Sequence, residues 1–331
     1  MTLKSSHPGI PADILALSHE RDELRKRGKY DKADVLKRQI EEAGYSIKDN
    51  PHGAHLIVLP SVDIDGAVYR TARQVPSLLE EADRCEFSVN ILAHSNFEET
   101  KRCIESVMRW IGTYEVEILL VNNKPIEELD TWFRELQRKD SRLHLLSTSR
   151  PLHVAEARNV SMQQSGGKYI LLLDTSVELV GDVFAPIVEV LTDKSIGITG
   201  FRGLSSENLH HFEESSDVEV EVIDELCMAF ERKLLKRIGC FDESYRFPYY
   251  MVIDFNFAIR NSGVRAVVTP NLPIRNYPSQ QDATLSDGER TRLKKRNFYR
   301  FPDKWGDRDD LLLDSENEEY NPIEHQSEGD E

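Results

Sequence analysis

The sequence predicts an α/β fold, a mostly parallel sheet flanked by helices and preceded by a small helical hairpin. Three observations predict it. From residue 85 onward, short apolar runs alternate with segments of helical period, the order that builds parallel sheets through crossover helices. Within that region KYILLLDTSVEL (168–179) holds a continuous apolar run, Ile170 to Leu173, as a strand buried on both faces requires. Ahead of it, residues 11–44 space their apolar residues for helices rather than strands.

The elements follow in order. Ile14, Leu17 and Leu24 mark a first helix, RGKYD (27–31) a turn, and Ala33, Leu36, Ile40 and Ala43 a second helix stopped by Gly44. KDNPHGAH (48–55) reads as loop chemistry, followed by a short apolar segment at Leu56–Leu59. Residues 60–84 read as a connector with one amphipathic turn around Leu78 and Leu79. FSVNILAH (87–94) is a strand. Asn96 with Glu99 three residues on caps a helix carrying Ile104, Val107, Met108 and Ile111. EVEILLVNN (115–123) is the next strand, then a polar helix around Trp132–Leu136, a strand at LHLLST (143–148) and a helix over 154–165 ending at Gly166–Gly167. Beyond the quoted run come strands at 196–203 and 266–270, with 218–239 passing from strand to helix.

The totals bound the function. The chain has 331 residues and a net charge of −16. Eleven acids against one base, Arg308, fall within 307–331, which predicts a disordered, solvating tail. The rest is only mildly acidic and offers no strong non-specific grip on nucleic acid. No apolar run reaches the ~18–20 residues that span a bilayer, and MTLKSSHPGI lacks a signal-peptide core, so a cytoplasmic protein without a membrane span is expected. Cys85, Cys103, Cys227 and Cys240 form no CxxC pair and read as reduced thiols.

Asp174 closes the apolar run at a strand's carboxyl end, where open α/β sheets bind ligands. A second carboxylate two residues on would make a metal–diphosphate site, but Thr175 and Ser176 follow instead.

The order of these segments resembles the GT-A fold of family 2 glycosyltransferases over roughly residues 85–306. FSVNILAHSNFEETKRCIESVM looks like the family's first strand and helix, and EVEILLVNN like its second strand. AEARNVSMQQSGGKYILLLDTSVEL resembles the stretch from the Arg-Asn pair to the D-x-D. RKLLKRIGCFDESYRFPYYMVIDFNFAIRNSG resembles the Gly-Phe-Asp-Glu turn with the catalytic acid after it, and KRNFYRFPDKWG the Lys-Trp-Gly ending. The resemblance implies inverting transfer of a hexose-like sugar from a nucleotide-diphosphate donor to a glycan or other acceptor that the sequence does not specify. It implies Asp254 as general base, Asp174 at the diphosphate with a divalent cation (Mg or Mn), and Asn122, Asn123, Arg158, Asn159 and Ser176 lining the donor pocket. The chemistry agrees: a diphosphate leaving group gathers charge that must be stabilised, and the acceptor hydroxyl must lose its proton to a base.

The chain departs from that pattern at several charges. The family's second D-x-D acid falls on Ser176, and its nucleotide-contacting Asp on Asn122. The acid before the base falls on Ile253, the one two after it on Asn256, and a metal-binding His on Asn276. A neutral hydroxyl is a poor substitute for carboxylate on a hard cation. Three outcomes follow: weak metal binding, metal-free catalysis by Arg or Lys, or a catalytically lapsed domain that binds nucleotide, glycan or RNA as an adaptor.

Residues 17–56 resemble the C-terminal helical module of cysteinyl-tRNA synthetases through Glu20-Arg21, Arg25, Ala33-Asp34, Gly44 and the Asp49, Pro51, Gly53 loop. In that family the module lies near tRNA. Residues 1–60 carry ten bases and nine acids, a weak phosphate footprint, so docking or homo-oligomer formation is the plainer role for 11–56. The expected organisation is a module at 1–60, a linker at 61–84, the GT-A domain at 85–306 and the tail at 307–331.

Overall fold

The N-terminal segment becomes a helical hairpin closed by a β-hairpin. The computed structural model describes residues 10–50, 53–93, 96–123, 126–209, 211–245, 248–277 and 299–313; of the acidic tail expected at 307–331, residues 314–331 lie outside the described residues, while Leu311 and Leu312 are buried against the body. Helices α1 (Ala12–Lys26) and α2 (Tyr30–Glu42) pack Ile14, Ala33 and Ile40 inward. Gly44 ends α2 at φ +91°, a backbone that L side chains rarely adopt. Strands β1 (Tyr45–Asn50) and β2 (Gly53–Val58) then pair antiparallel. The stretch 48–55, expected as a loop, therefore lies largely in strands, because the register sets Ile47 opposite Leu56 and buries Leu56 against Ile14 and Ile40. Arg21 clamps β1 to α1 through two bonds to Asp49, 2.5 and 2.9 Å.

The connector is also ordered. β3 (Val62–Ile64) pairs with β4 (Ala67–Tyr69) and with a strand of the main sheet, and the one helical turn is a 3-10 turn at Ala72–Gln74 rather than at Leu78–Leu79. Val62 drives this by burying itself completely. Leu78 to Glu81 form a hydrogen-bonded turn, the Glu81 N–H donating to the Leu78 carbonyl, and buried Arg232 holds it by donating to the carbonyls of Leu78 and Glu81 and to Asp83.

The body alternates strand and helix: β5 (Cys85–Ala93), α3 (Phe97–Trp110), β6 (Val116–Asn122), α4 (Glu127–Gln137), β7 (Leu143–Thr148), α5 (Val154–Gln164), β8 (Gly167–Leu173) and β9 (Val177–Leu179). There follow α6 (Phe184–Thr192), β10 (Ile196–Gly200), β11 (Gly203–Ser205), β12 (Glu213–Ser215), β13 (Glu219–Val220), β14 (Val222–Ile223), β15 (Cys227–Glu231), α7 (Leu235–Ile238), α8 (Pro248–Arg260), β16 (Arg265–Val268) and β17 (Ile274–Asn276). Residues 299–305 are helical. Asn96 caps α3, its side chain accepting from the Glu99 N–H and donating to the Glu99 carboxylate.

Among the described residues the main sheet has ten strands in the order β13-β16-β10-β15-β8-β5-β6-β7-β3-β4. Its centre, β8-β5-β6-β7, is parallel; β15 enters antiparallel between β8 and β10, so the sheet as a whole is mixed. Along β8, Ile170 and Leu172 face the core under α8, while Leu171 and Leu173 face the core under α3 and α6. Burial on both faces is what the apolar run encodes. Gly167 admits β8 to this position: a Cβ there would sit 2.4 Å from the Ser88 backbone nitrogen of β5.

Candidate functional site

The parallel strands end together at Ala93, Asn122, Thr148 and Leu173, and the candidate site lies beyond them. At the end of β8 the Asp174 carboxylate turns back on its own chain. Its Oδ1 accepts from the Ser176 N–H at 2.8 Å and from the Ser176 hydroxyl at 2.5 Å. The chain uses the same Asp-x-Ser device in two other turns. Asp193 accepts from the N–H and hydroxyl of Ser195, and Asp242 from those of Ser244. Ser176 thus stands where a second carboxylate was expected and closes an Asx turn. Beside it, β17 pairs with β9 so that Asn276 lies opposite Val177, and the Tyr277 N–H donates to the Ser176 carbonyl.

A cation lies beneath. Arg158 is buried, donating to the Asn90 carbonyl of β5 and the Leu173 carbonyl of β8, both at 3.1 Å. Burial lowers its guanidinium from the usual value; Glu225 and Asp174 oppose that shift. Glu225 was not anticipated from the sequence. It is half-buried in the loop before β15, and its neighbour Leu226 accepts the Asp174 N–H, which brings the two acids together. Burial pushes the Glu225 carboxyl up to about 7, with Arg158 pulling it down and Asp174 and Asp224 adding to the rise. The one signal for it in the sequence was an acid directly before an apolar strand.

The amides divide into scaffold and open groups. Asn123 donates to the Leu152 carbonyl and accepts its N–H, so both ends are used on backbone. Asn159 does the same with Phe241 and also donates to Glu243. Each amide fixes a loop. Asn256 accepts from the Ile223 N–H and donates to the Ile223 and Val252 carbonyls, so the residue two after Asp254 is scaffold as well. Asn122 differs. Its NH2 donates to Asp130 at 3.0 Å, but its buried Oδ1 has no partner among the described residues. An orphaned buried acceptor at a strand end is an open position for a donor N–H.

Asp254 lies on α8, 3% exposed. Its Oδ1 accepts from Lys304 Nζ at 2.7 Å, Trp305 Nε1 at 2.8 Å and the Tyr245 hydroxyl at 3.4 Å. The Lys-Trp-Gly ending therefore docks on this acid. Burial, with Asp254 beside it, pushes the Tyr245 hydroxyl well above its ordinary value, so it stays a donor. Adjacent residues of α5 touch both halves of the site: Arg158 the strand ends, Asn159 the turn that leads into α8.

The donor set fits a divalent cation poorly. Asp174 is the one carboxylate of the turn and has half its oxygens engaged, Ser176 and Asn276 are neutral, and no cluster of three metal-ligating His, Cys, Asp or Glu exists among the described residues. Hard cations take several oxygens, usually with more than one carboxylate.

Known proteins place this geometry in a family. The solved structure of GalNAc-T7 with UDP, GalNAc and Mn2+ superposes with a TM-score of 0.58 at 15% identity, covering 70% of this chain and 49% of that one. The mannosyltransferase PcManGT from Pyrobaculum calidifontis, in complex with GDP-Man and Mn2+, gives a TM-score of 0.48 at 14% identity, covering 62% of this chain and 61% of that one. The uncharacterized protein y4gI of Sinorhizobium fredii (strain NBRC 101917 / NGR234) is 20% identical over 243 residues, 64% of this chain and 26% of that protein. The chain thus spans about a quarter of that curated relative's length. The mixed sheet flanked by helices is that of a GT-A fold, as the likeness to GalNAc-T7 shows. The glycosyl transferase family 2 model matches residues 88–256, about half of the chain and the part that carries Asn122, Arg158, Asp174 and Asp254; the chain belongs to glycosyl transferase family 2.

Proposed function

We propose that the chain transfers a sugar from a nucleotide-diphosphate donor to an acceptor hydroxyl, with inversion. The observation that carries this is the strand-end constellation: the orphaned Asn122 Oδ1, the Asp174–Ser176 turn and buried Arg158 beneath them. Asn122 accepts an N–H of the nucleotide base. Asp174 and Ser176 border the diphosphate, and Arg158 sets the field of the floor from behind. Asp254 takes the acceptor's proton on its second oxygen, which has no hydrogen bond among the described residues. As the acceptor oxygen bonds to the anomeric carbon, the bond to the diphosphate breaks and the nucleoside diphosphate leaves with the electron pair. GalNAc-T7 is solved with UDP and GalNAc, so UDP-sugars are the first to test, with GDP-sugars as a second series. UDP- and GDP-sugars incubated with the protein should release nucleoside diphosphate, and Asp254→Asn should cut that rate by about 10²- to 10⁴-fold. Absence of donor binding and turnover across both series would overturn the proposal.

A lapsed, binding-only domain has one observation in its favour: Asn256 is fixed in scaffold bonds where an acid was expected, and Asn123 and Asn159 are fixed in scaffold bonds where pocket contacts were expected. Donor binding without turnover would establish it. The N-terminal module we read as a docking element carried on residues 10–58, separate in role from the body. A cleft of about 870 Å³ between it and the body mixes Arg38, Lys48 and Arg73 with Glu41, Glu156 and Glu243. That mixture is not the continuous basic track RNA needs, so docking or self-association is the favoured role. A cytoplasmic setting agrees with four unpaired cysteines.

A further inference from the structure

One cation beside the donor turn has no assigned work. Arg102 lies on α3, and its Nε and Nη2 are buried with no hydrogen-bond partner among the described residues. Its guanidinium stacks on the Tyr277 ring, 3.9 Å from the centroid. Tyr277 and Cys103, the residue after Arg102, both contact the Asp174–Ser176 turn: Tyr277 donates its N–H to the Ser176 carbonyl, and Cys103 directs its thiol at the Asp174 carbonyl. The ring is fixed at its far end too, where its hydroxyl donates to Glu178 at 2.7 Å and accepts from Arg275. Ser106, one helical turn beyond Arg102, accepts the Leu179 N–H and locks α3 onto the same hairpin.

A guanidinium with two buried nitrogens unanswered among the described residues is costly unless something accepts from it. Arginine is the side chain suited to that task, since its planar fork bonds phosphate oxygens in pairs and holds its charge at every working pH. The turn beside it is short of positive charge because it lacks the ligands for a hard cation.

We propose that Arg102, backed by Tyr277, supplies the positive charge that the donor diphosphate meets next to Asp174, in place of a divalent cation. This rests on the donor-site reading above. Arg102 is held on the Tyr277 ring before the ligand arrives, so its charge already stands beside the turn when the diphosphate departs. The site therefore binds nucleoside diphosphates in the presence of a chelator.

The test is calorimetric titration of UDP, GDP and uridine into the full chain, in EDTA and then in Mn2+. Wild-type protein should bind a diphosphate in EDTA, more tightly than the nucleoside, with no more than about a twofold gain from Mn2+. Arg102→Gln should weaken EDTA binding by about 10- to 100-fold, the worth of one or two charge-assisted bonds. Arg102→Lys, which keeps the charge, should stay within about tenfold of wild type and serves where the Gln variant does not fold. Binding that requires Mn2+ overturns the inference and leaves the donor reading standing. Undiminished EDTA binding by both variants does the same. No binding of any diphosphate in either condition overturns both.

Discussion

Single residues explain why charges expected of this family are missing. Asn256 is the clearest case, because its NH2 donates to two carbonyls that a carboxylate would repel. Asn256→Asp should therefore cost about 1–3 kcal/mol in urea unfolding, the penalty for unpaired buried groups; a stabilised variant would mean that the amide is not the anchor. Glu225 makes a pH prediction. Its carboxyl rises from 4.5 unfolded to about 7 folded, so between those values the native state holds the extra proton. Stability then falls as pH rises through that window. Glu225→Gln should match wild type at pH 4 and exceed it at pH 8, by about 1–2 kcal/mol once partial exposure is allowed for. Parallel melting curves at both pH values would show Glu225 to be uncoupled. In the sequence Asp174 stands out at the end of an apolar run, and Asp254 through the resemblance to the family. The sequence could not show that Asn123, Asn159 and Asn256 are spent on backbone, since an amide in a string carries no record of its partners.

Whole elements were legible wherever one face is buried. The alternation through β5, α3, β6, α4, β7, α5 and β8 was readable because burial imposes a period of two or 3.6 on the chain. The edge strands β3 and β4 were not, being three residues each and held by long-range contacts. Asp65, at the turn between them with φ +50°, accepts from the Leu145 N–H at 2.9 Å and Gln137 at 2.6 Å and pairs with His144. These bonds weld the hairpin to β7 and to the end of α4. Asp65→Ala should speed amide exchange at Leu145 by about 10- to 100-fold, equivalent to losing one or two buried hydrogen bonds, while β8 keeps its protection. The C-terminal helix is similarly tethered. Trp305 is buried against Phe257 and donates to Asp254. Trp305→Phe keeps most of the apolar area and loses the N–H, so a cost of about 1–3 kcal/mol in thermal unfolding is expected, with any turnover altered alongside. Unchanged stability would detach this helix from Asp254.

For the whole molecule, the module and body share few bonds, among them Arg73 with Glu41 and Gln74 with the Glu42 carbonyl. A chain beginning at residue 61 should keep the body's cooperative melt; its collapse would mean that the module completes the core. The main sheet has a further consequence at its outer limits. It terminates in β13, two residues long and anchored by Arg265 to Glu219, and in β4, three residues long. Neither offers the row of unpaired backbone groups on which a foreign strand could grow. Crowding or repeated heating should therefore drive this protein toward contacts between helical or hairpin surfaces, and not toward fibrils that extend the sheet.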